Sequence, residues 1–97
     1  MMILITYDVE TVTKAGRKRL RQVAKMCVNF GQRVQNSVFE CILDPAQFAE
    51  LKFSLENIID AKKDSLRFYH LGNSWQKKVE HVGTKETLNL EDDILIA

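Results

Sequence analysis

Asp8 closes an apolar stretch, "ILITYD" at 3–8, and a run of cations follows it: Lys14, Arg17, Lys18, Arg19, Arg21, Lys25 and Arg33, with no acid between Lys14 and Val28. A carboxylate is a hard-oxygen ligand, and Mg²⁺ commonly takes one or two carboxylates while keeping several waters. A cation held there would activate a water and neutralise charge on a phosphodiester, so hydrolysis of such a bond is the chemistry these residue types allow. Guanidinium and ammonium groups are the donors that phosphates require nearby. The plainer readings stand beside this one: a strand-end aspartate is a common turn or cap residue, and a basic helix face is commonly just solvated.

Other reactive side chains have weaker claims. His70 and His81 lie on separate predicted elements without a partner motif, so neither reads as a general base or zinc ligand. Ser37 and Cys41 have no visible base beside them, and a turn role and a core role suit them better. Trp75, in "GNSWQKK" with Lys77 and Lys78, could stack on a base, but a partly packed loop aromatic is the simpler reading. There is no glycine-rich phosphate loop and no paired zinc motif.

These residues need a scaffold, and the hydrophobic pattern supplies one. Residues 2–9 are a near-continuous apolar run of strand length. Thr13 can cap a helix whose apolar positions Leu20, Val23, Ala24, Cys27 and Val28 recur at helical spacing, with Gly31 as its stop signal. "QRVQNSVFECIL" is too long for an ordinary strand and divides into two around Asn36-Ser37. Asp44-Pro45, with Gln47 completing a capping box, opens a second helix buried through Phe48, Leu51, Leu55, Ile58 and Ile59. "SLRFYHL" reads as a further strand, and "VEHV" and "DILIA" as two short ones after a loop.

The order β-α-β-β-α-β is the α+β, ferredoxin-like arrangement: an antiparallel sheet with both helices on one face and the other face open. Residues 1–97 then form one domain, 1–75 as core and 76–97 as an extension that can pair with a partner subunit. A second copy on the open face would make a homodimer. Alternation along the first strand puts Ile3, Ile5 and Tyr7 on one face and Leu4, Thr6 and Asp8 on the other. If the helices cover the first set, Asp8 points to the open face, where a twofold axis could bring two carboxylates to one cation.

Composition bounds the rest. Apolar residues make up 45% of the 97-residue chain and charged residues 28%, which fits one globular domain and excludes a disordered or fibrous segment. No apolar run approaches the roughly 20 residues of a membrane span, and the start lacks signal-peptide features, so a cytoplasmic protein is expected. Cys27 and Cys41 lack metal-ligand spacing and read as reduced core residues. Residues 1–33 carry a net charge of +5 and residues 34–97 carry −4, which points to a local anionic partner.

"ITYDV", the arginine-rich helix and above all "GQRVQNSVFEC" at 31–41 resemble the CRISPR-associated Cas-two family, small metal-dependent nucleases that also serve in spacer acquisition. The resemblance covers nearly the whole chain. It implies a homodimer in which Asp8 of each subunit, as catalytic and metal residue, faces its mate and binds Mg²⁺ or Mn²⁺. It also implies cleavage of phosphodiester bonds in RNA or double-stranded DNA. Arg17, Arg19 and Arg33 match the family's basic positions, and Lys14 joins them on the nucleic-acid face. Tyr7 and Phe39 fall at motif positions as site-shaping residues, with Ser37 holding a turn. The family's second role is a scaffold: its dimer bridges dimers of the Cas-one integrase and holds the DNA to be inserted. A non-catalytic DNA-binding scaffold and a fold-related toxin ribonuclease remain alternative readings.

Overall fold

The computed structural model of the protein describes residues 1–83. Strand β1 (Met2–Asp8) leads through a short loop into helix α1 (Lys14–Val28). Thr13 caps α1 as expected, its Oγ1 accepting from the Gly16 amide at 3.0 Å. Strands β2 (Gln32–Gln35) and β3 (Val38–Ile42) form a hairpin that turns at Asn36-Ser37. Helix α2 (Pro45–Ile58) has the full capping box: Asp44 Oδ1 accepts from the Gln47 amide at 2.7 Å, and Gln47 Oε1 from the Asp44 amide at 3.0 Å. Strand β4 (Ser65–Gly72) and a short 3₁₀ turn (Trp75–Lys77) follow.

The strands lie in the order β2-β3-β1-β4, and every neighbouring pair is antiparallel. The fold is therefore the α+β arrangement read from the order of elements. Central β1 sets the register, with Ile5 opposite Phe39 on one side and Phe68 on the other. Ile3, Ile5, Phe39 and Cys41 from the sheet, Val23 and Cys27 from α1, and Leu51 and Leu55 from α2 are fully buried together. Each large aliphatic or aromatic side chain in that layer contributes about 1.5–3 kcal/mol by leaving water. Leu4 and Thr6 on the opposite face are only half-buried and Asp8 is exposed, so both helices do pack on one side.

Both cysteines are buried and unpaired, and burial pushes their thiols up to about 12. The Trp75 side is half-buried, as a packed loop aromatic would be.

Two local expectations change. No strand forms at "VEHV": Val79–Gly83 instead faces the open side of the sheet, bounding with Leu4, Thr6, Val38 and Glu40 a cleft of about 560 Å³. A strand exists only where a neighbour completes its ladder, and none of the four strands of the sheet pairs with this segment. "DILIA" falls outside the described residues. Gly31 is also not a left-handed helix stop, since among the described residues only Gly72 and Gly83 have positive φ. The end of α1 is closed by the Phe30 and Gly31 amides, both donating to the Cys27 carbonyl at 3.0 Å. Glycine is needed at 31 because a Cβ would run into Cys41 Sγ and the Glu40 carbonyl. Gly31→Ala should therefore destabilise the fold by about 1–3 kcal/mol, read as a lower urea midpoint at unchanged m-value.

Candidate metal and nucleic-acid site

Asp8 occupies the last rung of the β1–β4 ladder, opposite Ser65, with its side chain exposed. Thr6 and, on β4, its partner Arg67 share that face, and Arg67 Nη1 donates to the Tyr69 hydroxyl at 3.1 Å. Arg67 was not singled out by sequence pattern, although alternation along "SLRFYHL" places it with Tyr69 once the helix-facing set is known. Among the described residues no three His, Cys, Asp or Glu side chains cluster as a metal site. Among the described residues Asp8 is thus a hard-oxygen donor outside any such cluster. That donor is exposed on an uncovered face, which fits a cation that retains waters and takes a second carboxylate from a symmetric copy.

Tyr7, Phe39, Ser37 and Arg33 assemble beside the hairpin turn. The Tyr7 hydroxyl donates to the Asn36 carbonyl at 3.2 Å, and the Tyr7 amide donates to the Ser37 carbonyl at 3.1 Å. The Tyr7 and Phe39 rings stack with centroids 6.2 Å apart, and Arg33 Cζ lies 5.2 Å from the Phe39 centroid. Burial raises the Tyr7 phenol above its ordinary range, and the charge of Arg33 pulls partly the other way. Arg33 is opposite Phe39 in the ladder, and Phe39 opposite Ile5, so Arg33 lies on the helix side of the sheet. Asp8 lies on the other side. A single chain therefore does not bring Asp8 and Arg33 into one pocket.

The basic residues of α1 divide in the same way. Lys14 and Arg17 are exposed. Arg17 Nη1 donates to the Thr11 and Val12 carbonyls at 3.1 Å each, which holds the guanidinium beside the β1–α1 loop while other N–H donors stay available. Arg19, expected on phosphate, is bound within the chain. Its Nε donates to Asp64 Oδ2 at 2.7 Å and its Nη2 to Asp64 Oδ1 at 3.3 Å and Glu10 Oε2 at 3.4 Å.

Asp64 also accepts from the Glu10 amide at 3.0 Å and the Asp60 amide at 2.9 Å, with its side chain 0% exposed. The Glu10 carboxylate in turn accepts from the Thr13 amide and hydroxyl at 2.5 and 2.9 Å. A Cβ on Gly16 would collide with the Glu10 carbonyl and carboxylate, so the loop can lie this close to α1 only over glycine. Pattern reading missed Asp64, which is 45 residues from Arg19 in a segment, "AKKD", that looks like any polar loop. The Arg19 hydrogen bond, aided by the two amides, holds the Asp64 carboxyl down to about 2. An unfolded aspartate titrates near 3.9, so the stabilisation is complete above about pH 5 and is lost as pH falls towards 2. Asp64→Asn should remove that acid-limb dependence from a plot of urea midpoint against pH.

The chain is similar to known proteins over most of its length. The family model for CRISPR associated protein Cas2 matches residues 1–79. A protein named CRISPR-associated endonuclease Cas2, from Halalkalibacterium halodurans, is 58% identical over 95 residues, which is 98% of this chain and 99% of that one. One named CRISPR-associated endoribonuclease Cas2, from Chlorobaculum tepidum, is 57% identical over 96 residues, 99% of this chain and 100% of the relative. The crystal structure of Streptococcus pyogenes Cas2 at pH 6.5 matches with TM-score 0.77 and 64% identity, covering 86% of this chain and 100% of that one. A chain of a partial Cas6-RT-Cas1–Cas2 complex matches with TM-score 0.65 and 28% identity, covering 84% and 88% of the two chains. With β1 ending in Asp8, the basic α1 and the "RVQNSVFE" hairpin in one ferredoxin-like frame, this chain belongs to the CRISPR-associated Cas2 family.

Proposed function

We propose that the protein is a metal-dependent endonuclease that works as a homodimer, and that the same dimer holds duplex DNA beside a Cas1 integrase in spacer acquisition. The observation that carries the reading is the Asp8 carboxylate, exposed at the end of β1 on the sheet face that the helices leave uncovered. A copy related by a twofold axis would cover Leu4, Thr6 and Val38 and bring a second Asp8 towards the first. Residues 76–97 are proposed to complete that interface, and the position of Val79–Gly83 against the open face supports this.

Mg²⁺ or Mn²⁺ held between the two aspartates would supply an activated water and neutralise phosphate charge. The chain's own part is to hold and orient. Asp8 presents oxygen ligands from a rigid strand end, and Lys14 and Arg17 offer phosphate donors from the exposed side of α1. Arg33 offers a further donor from the hairpin. Tyr7 and Phe39 fix that hairpin's shape, and the Ser37 carbonyl accepts the Tyr7 amide.

Relatives carry the names endonuclease and endoribonuclease, so double-stranded DNA and RNA both belong in the assay. The scaffold reading is favoured by the likeness to a chain of the Cas1–Cas2 complex and by the exposed cations of α1, which suit phosphate contacts that do not read sequence. No helix among the described residues is long and apolar enough to cross a membrane. Two unpaired buried thiols suit the reducing cytoplasm proposed for this protein.

Cleavage of single-stranded RNA and duplex DNA, each with Mg²⁺, Mn²⁺ or chelator, tests the nuclease reading. Asp8→Asn should lower cleavage by on the order of a hundredfold or more while duplex affinity stays within about twofold. Wild-type cutting by the Asn variant, with contaminating nucleases excluded, would leave the scaffold role alone. Duplex affinity should fall steeply as salt rises.

A further inference from the structure

We propose that Arg19 and Asp64 form a clamp that positions the Asp8 strand end, and that Arg19 does this instead of contacting phosphate. The catalytic consequence rests on the nuclease reading above; the clamp itself rests on geometry within the chain. Asp8 and Ser65 form the final rung between β1 and β4. The residue before Ser65 is Asp64, and two residues beyond Asp8 is Glu10, whose amide donates to Asp64 Oδ1 at 3.0 Å. The rung that carries Asp8 is therefore bracketed by one carboxylate. Arg19 locks that carboxylate through Nε at 2.7 Å and Nη2 at 3.3 Å, and its Nη2 reaches the Glu10 carboxylate at 3.4 Å.

The guanidinium is already engaged within the chain through Nε and Nη2. Its side chain is 15% exposed, against 0% for Asp64, and two carboxylates already face it. Moving it onto a phosphate would strand the buried Asp64 charge, a loss that a surface phosphate contact does not offset. Arg17, two residues earlier and so on the other side of α1, is exposed and anchored only to carbonyls, and it remains a suitable phosphate donor. Arg19 is thus a positioning residue. Without it Asp64 and Glu10 lose their shared tie to the middle of α1, leaving only the Arg17 and Thr13 contacts at the helix start, and Asp8, at the foot of the loop, loses its fixed direction. Displacement of a reacting group by about 1 Å costs on the order of a hundredfold in rate.

Binding and turnover separate a clamp from a phosphate contact. The variants Arg17→Ala, Arg19→Ala, Arg19→Lys and Asp64→Asn are titrated with a short DNA duplex at several salt concentrations and assayed for cleavage. Each phosphate contact adds about 0.9 to the slope of log affinity against log salt, so Arg17→Ala should flatten it by about that much. Arg19→Ala and Asp64→Asn should leave the slope at the wild-type value while lowering kcat about ten- to a hundredfold at little-changed KM. Their double variant should be no worse than the worse single. Amide hydrogen exchange at Glu10 should quicken in both, and Arg19→Lys, which keeps the charge but loses the fork, should fall between them and wild type. This exchange arm reports on the clamp even if no substrate is cut, so failure of the nuclease reading is distinguishable from failure of the clamp. A salt slope that drops in Arg19→Ala as it does in Arg17→Ala would overturn the proposal, as would wild-type exchange at Glu10 in Asp64→Asn.

Discussion

A single buried carboxylate organises the end of the molecule where chemistry is expected. Removing an ionised aspartate from water costs several kcal/mol, and the cost is offset only when its oxygens are fully engaged. Asp64 receives four hydrogen bonds, two from the Arg19 guanidinium and one each from the Glu10 and Asp60 amides. Those donors come from α1, from the loop after β1 and from the loop before β4. Hydrophobic burial brings the helices onto the sheet, but it is indifferent to small slides of one element against another. The directional bonds to Asp64 select one placement, and Gly16 permits it by letting Glu10 lie against α1.

The two faces of the sheet then divide the labour. One face is given over to the core, where Ile3, Ile5, Phe39 and Cys41 meet the helices and where Tyr7 and Arg33 gather around Phe39 near the hairpin turn. The other carries Asp8, Arg67, Tyr69 and the half-buried Glu40, whose carboxyl is raised by desolvation. Alternation along β1 enforces this separation, because Tyr7 and Asp8 are adjacent in sequence and must point to opposite sides. A one-chain cleft combining them is geometrically closed off. In the proposed homodimer a second copy would give the cation a second carboxylate, and the same symmetry would shield the apolar part of the open face.

Electrostatics follow the same partition. The excess of positive charge in residues 1–33 is not spread evenly over the fold. Lys14 and Arg17 face solvent at the start of α1, whereas Arg19 is neutralised by carboxylates from distant parts of the chain. The field available to an anionic partner is therefore smaller than the residue count suggests, because Arg19 is withdrawn from it while the other cations of α1 stay exposed. Long-range attraction and local rigidity thus draw on neighbouring arginines of one helix, two residues apart on different sides of it, with different partners.

Much of the architecture was legible in local pattern. The capping box at Asp44 and Gln47, the Thr13 cap and the turn at Asn36-Ser37 are short-range hydrogen-bonding signals written in consecutive residues, and the alternation in "ILITYD" put Asp8 on the open face. "VEHV" was misread as a strand because its apolar alternation says nothing about whether a neighbouring backbone is there to pair with it. Gly31 was rightly marked as special but for the wrong reason, since its constraint is Cys41 and Glu40 pressing from β3 and not its own dihedral. Arg19 stood out as one cation among seven in the first third of the chain, and its partner 45 residues away carried no mark. What the sequence by itself determined were the elements, their order and the face on which each side chain falls, because those depend on periodicity and on neighbours within a few residues. Which charges pair and which stay free only the tertiary structure decided, because that depends on where the packed core brings distant segments together.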